Sequence, residues 1–173
     1  MLGEGTVELT NAKLTGNSTI NNIADKFKLP QLKSIEIPKS WTIIKLVNGK
    51  IFVEPFDLKY QDIAMTIAGS HSLLNVMDYG VLMDVPSNKM GPAKGMVDGL
   101  LAQSPLPGIT PASLPDVLRF RVGITGDMAS PKIDVKLLGK GGSTSPVKDL
   151  VNDQVDKVKE EFDKQKDEAL KQA

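Results

Sequence analysis

The sequence has no cysteine and a single histidine, His71, among its 173 residues. Without cysteine the chain cannot form a disulfide, a zinc–thiolate site or a cysteine nucleophile. The absence does not indicate whether the protein resides in an oxidising or a reducing compartment. One histidine leaves few ways to build a histidine-rich metal site or a nucleophile–base pair, because both need several side chains. The composition therefore gives no support to thiol chemistry or to histidine-based metal chemistry.

An excess of charge of one sign is also lacking, since 21 Lys and Arg residues balance 21 Asp and Glu residues. A neutral chain has no net field that would attract nucleic acid, so we expect no nucleic-acid partner. No apolar run approaches the roughly 18–20 residues of a membrane span, and the first residues read as a strand rather than as a signal peptide. We therefore expect the sequence to be a fragment of a longer protein.

What is present is a recurrent alternation of apolar and polar residues, the period of a half-buried strand. Its clearest instance is a pair of runs around Asn48-Gly49, the dipeptide preferred in a two-residue hairpin turn. A two-residue loop fixes the register of the facing residues. One face of the hairpin is then wholly apolar, and we predict it as the surface of an apolar groove formed by two facing pairs, Leu46 with Ile51 and Ile44 with Val53.

Further alternating runs predict an antiparallel sheet of about seven to nine strands, curved or partly rolled into a groove. A helical period that ends at Pro30 predicts one short helix over residues 18–29. Residues 87–115 are rich in Gly and Pro and predict an excursion, with a loose helix, over an edge or end of the sheet. The predicted fold is mainly β (β-rich α+β), with a β domain over residues 3–138.

The composition changes again toward the C-terminus. Residues 139–146 are rich in Gly and Ser and predict a flexible linker, and residues 147–173 predict a highly charged amphipathic helix. Three interpretations are open for this helix: a short coiled coil, a membrane-surface helix, and packing onto the domain or a solvated terminal extension. The short, valine-rich seam and the shortage of basic charge disfavour the first two, and we expect a detached or loosely packed helix. Its narrow apolar stripe is Val151, Val155, Val158 and Phe162.

Few residues are candidates for chemistry. His71 lies between Ser70 and Ser72, but neighbours in an extended segment point to opposite faces, so adjacency does not make a nucleophile–base pair. The Gly-rich run 139–144 lacks the spacing of a phosphate-binding loop, and the aspartates are too scattered for an EF-hand. We predict no catalytic residue, no metal ligand and no cofactor. A hydrolase that uses His71 with a nearby serine or aspartate is kept as an alternative.

The middle of the chain carries a family resemblance. The Asn48-Gly49 turn within WTIIKLVNGKIFV is followed by a strand that ends at Gly69 and by an Asp78-Tyr79 strand that closes at Pro86. This pattern resembles the C-terminal region of AsmA-like proteins, a bacterial envelope family that includes TamB-like members. The runs GEGTVELTNAKLTG and VGITGDMASPKIDVKL are similar to further elements of the family, so the resemblance covers roughly residues 3–138.

The resemblance implies a non-enzymatic scaffold of the bridge-like lipid transfer type, whose curved apolar sheet shields acyl chains. It implies a periplasmic module of a longer protein that is anchored in the inner membrane by an N-terminal helix. Such a module contributes to phospholipid transport between membranes and to outer-membrane biogenesis. The implied partners are phospholipid, neighbouring β repeats of the full-length protein and other envelope proteins. The alternative is a structural cap or docking module that binds protein and holds no lipid of its own.

Overall fold

The computed structural model describes residues 2–142 and 147–172. Within them the chain forms nine β-strands and three α-helices, and the fold is mainly β, as predicted. The strands are β1 (Leu2–Leu9), β2 (Ala12–Thr15), β3 (Ser34–Ile37), β4 (Ser40–Val47), β5 (Lys50–Tyr60), β6 (Ile63–Ser72), β7 (Val76–Pro86), β8 (Val117–Asp127) and β9 (Lys132–Lys140). The helices are α1 (Ser18–Phe27), α2 (Lys94–Gln103) and α3 (Val147–Lys171).

Seven strands form one open antiparallel sheet in the order β1-β4-β5-β6-β7-β8-β9, and β2 pairs with β3 in a separate two-stranded sheet, with α1 between them in the chain. From β4 to β7 chain neighbours pair because the turns between them are tight. At the β4–β5 turn Asn48 and Gly49 have φ values of 47° and 79°, as a type I′ turn requires. The register predicted for this hairpin is confirmed residue for residue.

A bulge in β5 joins this hairpin to the rest of the sheet. The register of β5 against β6 shifts between Val53 and Phe56, around Pro55. Proline has no amide hydrogen for the ladder, and strands accommodate it at bulges. Val53 faces Gly69 and Phe56 faces Ile67, two residues apart on β6, so the bulge places Val53 and Phe56 on the same face. The apolar hairpin face therefore continues along β5.

One face of the sheet, which we call the apolar face, contains the main core. The residues of β4–β8 that belong to the apolar face, whether or not they are part of the core, include Ile44, Leu46, Ile51, Val53, Leu58, Met65, Ile67, His71, Met77, Tyr79, Val81, Met83, Val122 and Ile124. The helix α1 and the β2–β3 sheet cover the central part of this face, where Phe27 meets Phe120 edge-on with ring centroids 5.0 Å apart. The strands at the hairpin end extend beyond this cover.

The predicted short helix is α1, and its ends follow from its capping residues. The Asn17 side chain accepts a hydrogen bond from the Thr19 amide at 2.9 Å, which is N-cap geometry. The helix ends where Lys28 adopts a left-handed conformation, with φ of 53°. The helix is therefore two residues shorter at its C-terminal end than the predicted range 18–29.

The opposite face of the sheet, which we call the mixed face, packs against α3. The ring of Phe162 meets Phe52 edge-on at 5.9 Å between centroids, and Lys45 Nζ lies 5.2 Å from the Phe162 centroid. Lys50 forms an ion pair with Glu161. The helix α3 lies across β4–β7. The expectation of a detached or loosely packed helix is therefore wrong. Three predicted stripe residues lie outside the described side chains: Val151, Val155 and Val158.

The predicted Gly/Pro-rich excursion forms the connection between β7 and β8. It contains α2, which contacts β9, the edge strand at that side of the sheet. Val97 and Leu101 of α2 are buried in the main core. The excursion therefore covers one edge of the sheet, as the sequence indicated.

The predicted linker starts later than its composition suggests. The strand β9 extends to Lys140, and the next two residues are held against the sheet. Gly141 donates its amide to the Val117 carbonyl at 2.8 Å, and Gly142 donates to Asp84 Oδ2 at 2.9 Å. Residues 143–146 of the predicted linker lie outside the described residues.

Candidate functional site

The four residues predicted as the groove surface lie together on the apolar face. Leu46 faces Ile51 and Ile44 faces Val53 across the β4–β5 ladder. The Val53 side chain is buried and the other three are partly exposed. All four lie outside the main core. The structure therefore places an accessible apolar surface at the predicted position.

A cavity of about 150 Å³ lies between the apolar face and the elements that cover it. Its roof includes Leu14 of β2 with Ile20 and Ile23 of α1, and its floor includes Ile67 and Tyr79 of the sheet. The cavity is partly open at the surface, and its described lining is aliphatic and aromatic apart from Thr19. An enclosed cavity of similar volume lined by leucine, isoleucine and phenylalanine binds benzene. The cavity thus provides a place for a hydrocarbon group.

One row of the apolar face lies between this cavity and the hairpin. Ile67 in the cavity floor is followed on β6 by Gly69, which lies between Val53 of β5 and Tyr79 of β7. A Cβ atom on Gly69 would lie 2.3 Å from the Asp78 carbonyl oxygen and 2.7 Å from Tyr79 Cδ1. Only glycine permits this close approach. The Tyr79 ring can therefore lie beside the β6 backbone, in the row that continues across Gly69 to Val53 of the hairpin.

His71 and Tyr79 form a polar contact on the apolar face. Nδ1 of His71 and Oη of Tyr79 are 2.7 Å apart, and the two rings stack with centroids 6.0 Å apart. Burial raises the pKa of Tyr79 to about 12, so its phenol is protonated at neutral pH and can donate to Nδ1. Ser70 and Ser72 lie on the opposite face of β6, so the structure pairs neither serine with the histidine.

A buried ion pair lies on the mixed face, away from the cavity. Arg119 donates from Nε and Nη2 to the two carboxylate oxygens of Asp84, each at 2.7 Å. Burial alone would raise the pKa of Asp84, but the hydrogen bonds from Arg119 and the Gly142 amide outweigh it and lower that pKa. Because the pair joins β7, β8 and the end of β9, we assign it a structural role.

Metal sites and membrane spans do not emerge from the described part of the chain. Among the side chains that the structure describes, no three His, Asp or Glu residues are grouped as metal ligands. None of the helices in these ranges is both long enough and apolar enough to cross a bilayer. Comparisons with protein-family models, curated proteins and solved structures find no match for this chain. The interpretation of the site therefore rests on its geometry and on the residues that carry the resemblance.

Sequence reasoning missed the cavity and the His71–Tyr79 contact. The helical spacing of Ile20 and Ile23 indicates an apolar helix face, but it does not indicate which strands that face covers. Two local signals were available, Pro55 inside a strand pattern and Gly69 at a strand position, since both residues often mark bulges or close backbone contacts.

Proposed function

We propose that this chain is a non-enzymatic module that binds a lipid acyl chain on the apolar face. The observation that carries the proposal is that the cavity under α1 and the apolar hairpin surface share one face of the sheet, with Tyr79 and Val53 in the row of residues between them. The methyl end of an acyl chain fits the cavity, and the methylenes that follow lie along the hairpin. The hairpin residues in contact with it are Ile44, Leu46, Ile51 and Val53.

The hydrophobic effect supplies enough free energy for such binding without a catalytic residue. Each methylene removed from water contributes about 0.8 kcal/mol, so six methylenes contribute about 5 kcal/mol before the cost of ordering the chain. A surface of this kind selects a ligand by chain length and shape more than by headgroup. Phospholipids and free fatty acids share the chemistry that this surface recognises.

The resemblance to AsmA-like proteins extends the proposal to the cell envelope. We infer a periplasmic module of an inner-membrane-anchored protein that contributes to phospholipid transport and outer-membrane biogenesis. An open sheet supports this inference, because β1 is an edge strand and an edge can pair with a neighbouring β unit. In that setting the apolar face forms one section of a longer lipid-conducting surface.

A titration with cis-parinaric acid, a fatty acid whose fluorescence rises in apolar surroundings, tests the binding site. Leu14 lines the cavity and is 39% exposed, so a Leu14→Trp substitution fills the cavity mouth with little disturbance of the core. We expect this variant to bind at least about tenfold more weakly, the loss expected for two methylenes left in water. The matched control is Leu170→Trp on α3, where the leucine is 60% exposed.

The control variant is expected to bind like the unsubstituted chain. Absence of binding by the unsubstituted chain, or equal binding by the Leu14→Trp and Leu170→Trp variants, contradicts the proposal. The structural cap or docking module then becomes the better interpretation, and its partner would be a protein.

A further inference from the structure

Two neighbouring turns at one end of the sheet carry exposed, bulky apolar side chains. The β6–β7 turn contributes Leu73 and Leu74, which are 64% and 86% exposed, with Val76 next to it at 56%. The β8–β9 turn contributes Met128, which is 41% exposed. The Met128 amide donates to the Asn75 carbonyl at 2.8 Å and so joins the two turns. We call Leu73, Leu74, Val76 and Met128 the apolar tip.

Six backbone amides around the apolar tip donate hydrogen bonds within the protein, and no such bond is described for the Leu74 amide. Leu73 donates to the Gly49 carbonyl at 2.8 Å, and Asn75 donates to the Ser72 carbonyl at 3.1 Å. Four further amides behave in the same way, those of Val76, Met128, Ala129 and Ser130. A turn surrounded by water does not need internal acceptors, whereas a turn that enters an apolar phase does, because an unsatisfied amide there costs several kcal/mol.

The charge pattern points to the same environment. The segments 73–77 (LLNVM) and 128–131 (MASP) carry no charged residue, in a chain where charged residues make up 24%. The nearest carboxylate, that of Asp127, accepts a hydrogen bond from the Ala129 amide at 2.7 Å. Protein interfaces use about one hydrogen bond per 100–200 Å². Many backbone amides of these turns already donate to acceptors within the protein, so few remain to bond with a protein partner. Lipid is therefore a better match for the tip than a protein surface.

The apolar tip also adjoins the proposed lipid-binding face. A row of that face crosses β4–β7 two residues from the turns, formed by Leu46, Ile51, His71 and Met77. The hydrogen bond from Leu73 to Gly49 sets the tip against the hairpin turn that carries this row. A hydrocarbon chain that leaves a bilayer at the tip would meet the apolar face directly.

We propose that the apolar tip inserts into a phospholipid bilayer and seats the open end of the apolar face at the membrane surface. The role of this contact in lipid uptake rests on the proposed function, whereas membrane binding itself does not. Because the chain has no net charge, insertion depends on apolar contact, so the tip binds vesicles of neutral phosphatidylcholine and the binding changes little with salt.

Flotation of the chain with phosphatidylcholine vesicles tests the insertion. We expect the double variant Leu73→Ser/Leu74→Ser to bind vesicles at least about tenfold more weakly, since two exposed leucines no longer enter the bilayer. A Val7→Ser variant changes an apolar residue that is 37% exposed on β1, opposite Thr42 at the far end of the sheet, and is expected to bind like the unsubstituted chain. Equal binding by the tip variant and the control overturns the proposal, as does absence of vesicle binding by the unsubstituted chain.

Tryptophan fluorescence gives an independent measurement of which end inserts. The single tryptophan, Trp41, is 65% exposed and lies near the start of β4, at the far end from the tip. Its emission is expected to stay unchanged when vesicles are added. In a Trp41→Phe background, a Leu74→Trp reporter is expected to shift to shorter wavelength. A shift at Trp41 with none from the reporter places a different surface in the membrane and overturns the proposal.

The fatty-acid titration separates this proposal from the proposed function. The Leu73→Ser/Leu74→Ser variant is expected to bind monomeric cis-parinaric acid normally while losing vesicle binding. If the unsubstituted chain binds the fatty acid but not vesicles, the tip proposal fails and the lipid-binding face stands. If the tip variant loses both activities, the leucines belong to the binding face itself, and the separate membrane role is contradicted.

Discussion

Gly69 is the residue on which the shape of the apolar face depends most. Its missing side chain lets β7 bring Tyr79 close to the β6 backbone, with a virtual Cβ only 2.6 Å from Tyr79 Cα. We expect Gly69→Ala to lower the free energy of unfolding by about 2 kcal/mol, because backbone atoms would have to move. Urea denaturation measures this loss.

Gly123 of β8 provides the control for that substitution. A Cβ atom there would meet only the Asp134 side chain, at an ordinary distance of 3.9 Å. We expect Gly123→Ala to change the free energy of unfolding by less than about 1 kcal/mol. Equal effects of the two substitutions would show that the close contact between β6 and β7 does not constrain Gly69.

The raised pKa of Tyr79 predicts that the free energy of unfolding falls at alkaline pH. Its folded-state pKa of about 12 lies above the ordinary value near 10, so the folded chain holds the phenolic proton over a range in which the unfolded chain has lost it. Stability from this group is complete below pH 10 and is lost as the pH rises toward 12. After allowance for partial solvent screening, we expect a loss of about 1–2 kcal/mol.

The Tyr79→Phe variant isolates this contribution. Denaturation of the two proteins between pH 9 and 11.5 should show a steeper loss for the unsubstituted chain, because phenylalanine has no proton to lose. Parallel curves would mean that burial of Tyr79 does not affect its ionisation.

At the scale of the elements, α3 is held to the mixed face by few described contacts, of which Phe162 is central. Its ring packs against Phe52 and lies near the Lys45 ammonium group. We expect Phe162→Ala to weaken the docking of α3 by about 1–2 kcal/mol, through lost apolar burial and lost aromatic contact. Hydrogen exchange of the α3 amides should become several-fold faster, with the central strands unchanged.

A Leu170→Ala substitution on the same helix is the matched control, because Leu170 is mostly exposed. Its exchange rates are expected to match those of the unsubstituted chain. Unchanged protection of α3 in the Phe162→Ala variant would contradict the assignment of Phe162 as the anchor of this helix.

The elements also show how far the sequence could predict the structure. Asn48-Gly49 is a local signal, and it was sufficient to predict the turn, the register and the shared face of the hairpin. The bulge at Pro55 joins that face to the core, but alternation by itself does not show where a ladder shifts. The position of α3 depends on contacts more than a hundred residues apart along the chain, such as Asn48 with Gln165, and local periodicity carries no information about them.

At the scale of the whole molecule, the two faces of the sheet differ in how far they are covered. The mixed face is covered by α3 and carries the Asp84–Arg119 pair, which joins three strands. The apolar face is covered only in part, and its open section leads from the cavity toward the apolar tip. The sequence predicted an apolar hairpin surface, but its connection to a cavity required the folded positions of α1 and β2.

The central claim is that this apolar face holds lipid, and native mass spectrometry of the purified chain tests it most directly. Organic extraction of the same sample identifies whatever is released. We predict a population carrying one phospholipid or fatty acid per chain, which the Leu14→Trp substitution removes and the Leu170→Trp substitution leaves in place. A mass of the bare chain alone, unchanged after incubation with phosphatidylcholine vesicles, would contradict the claim.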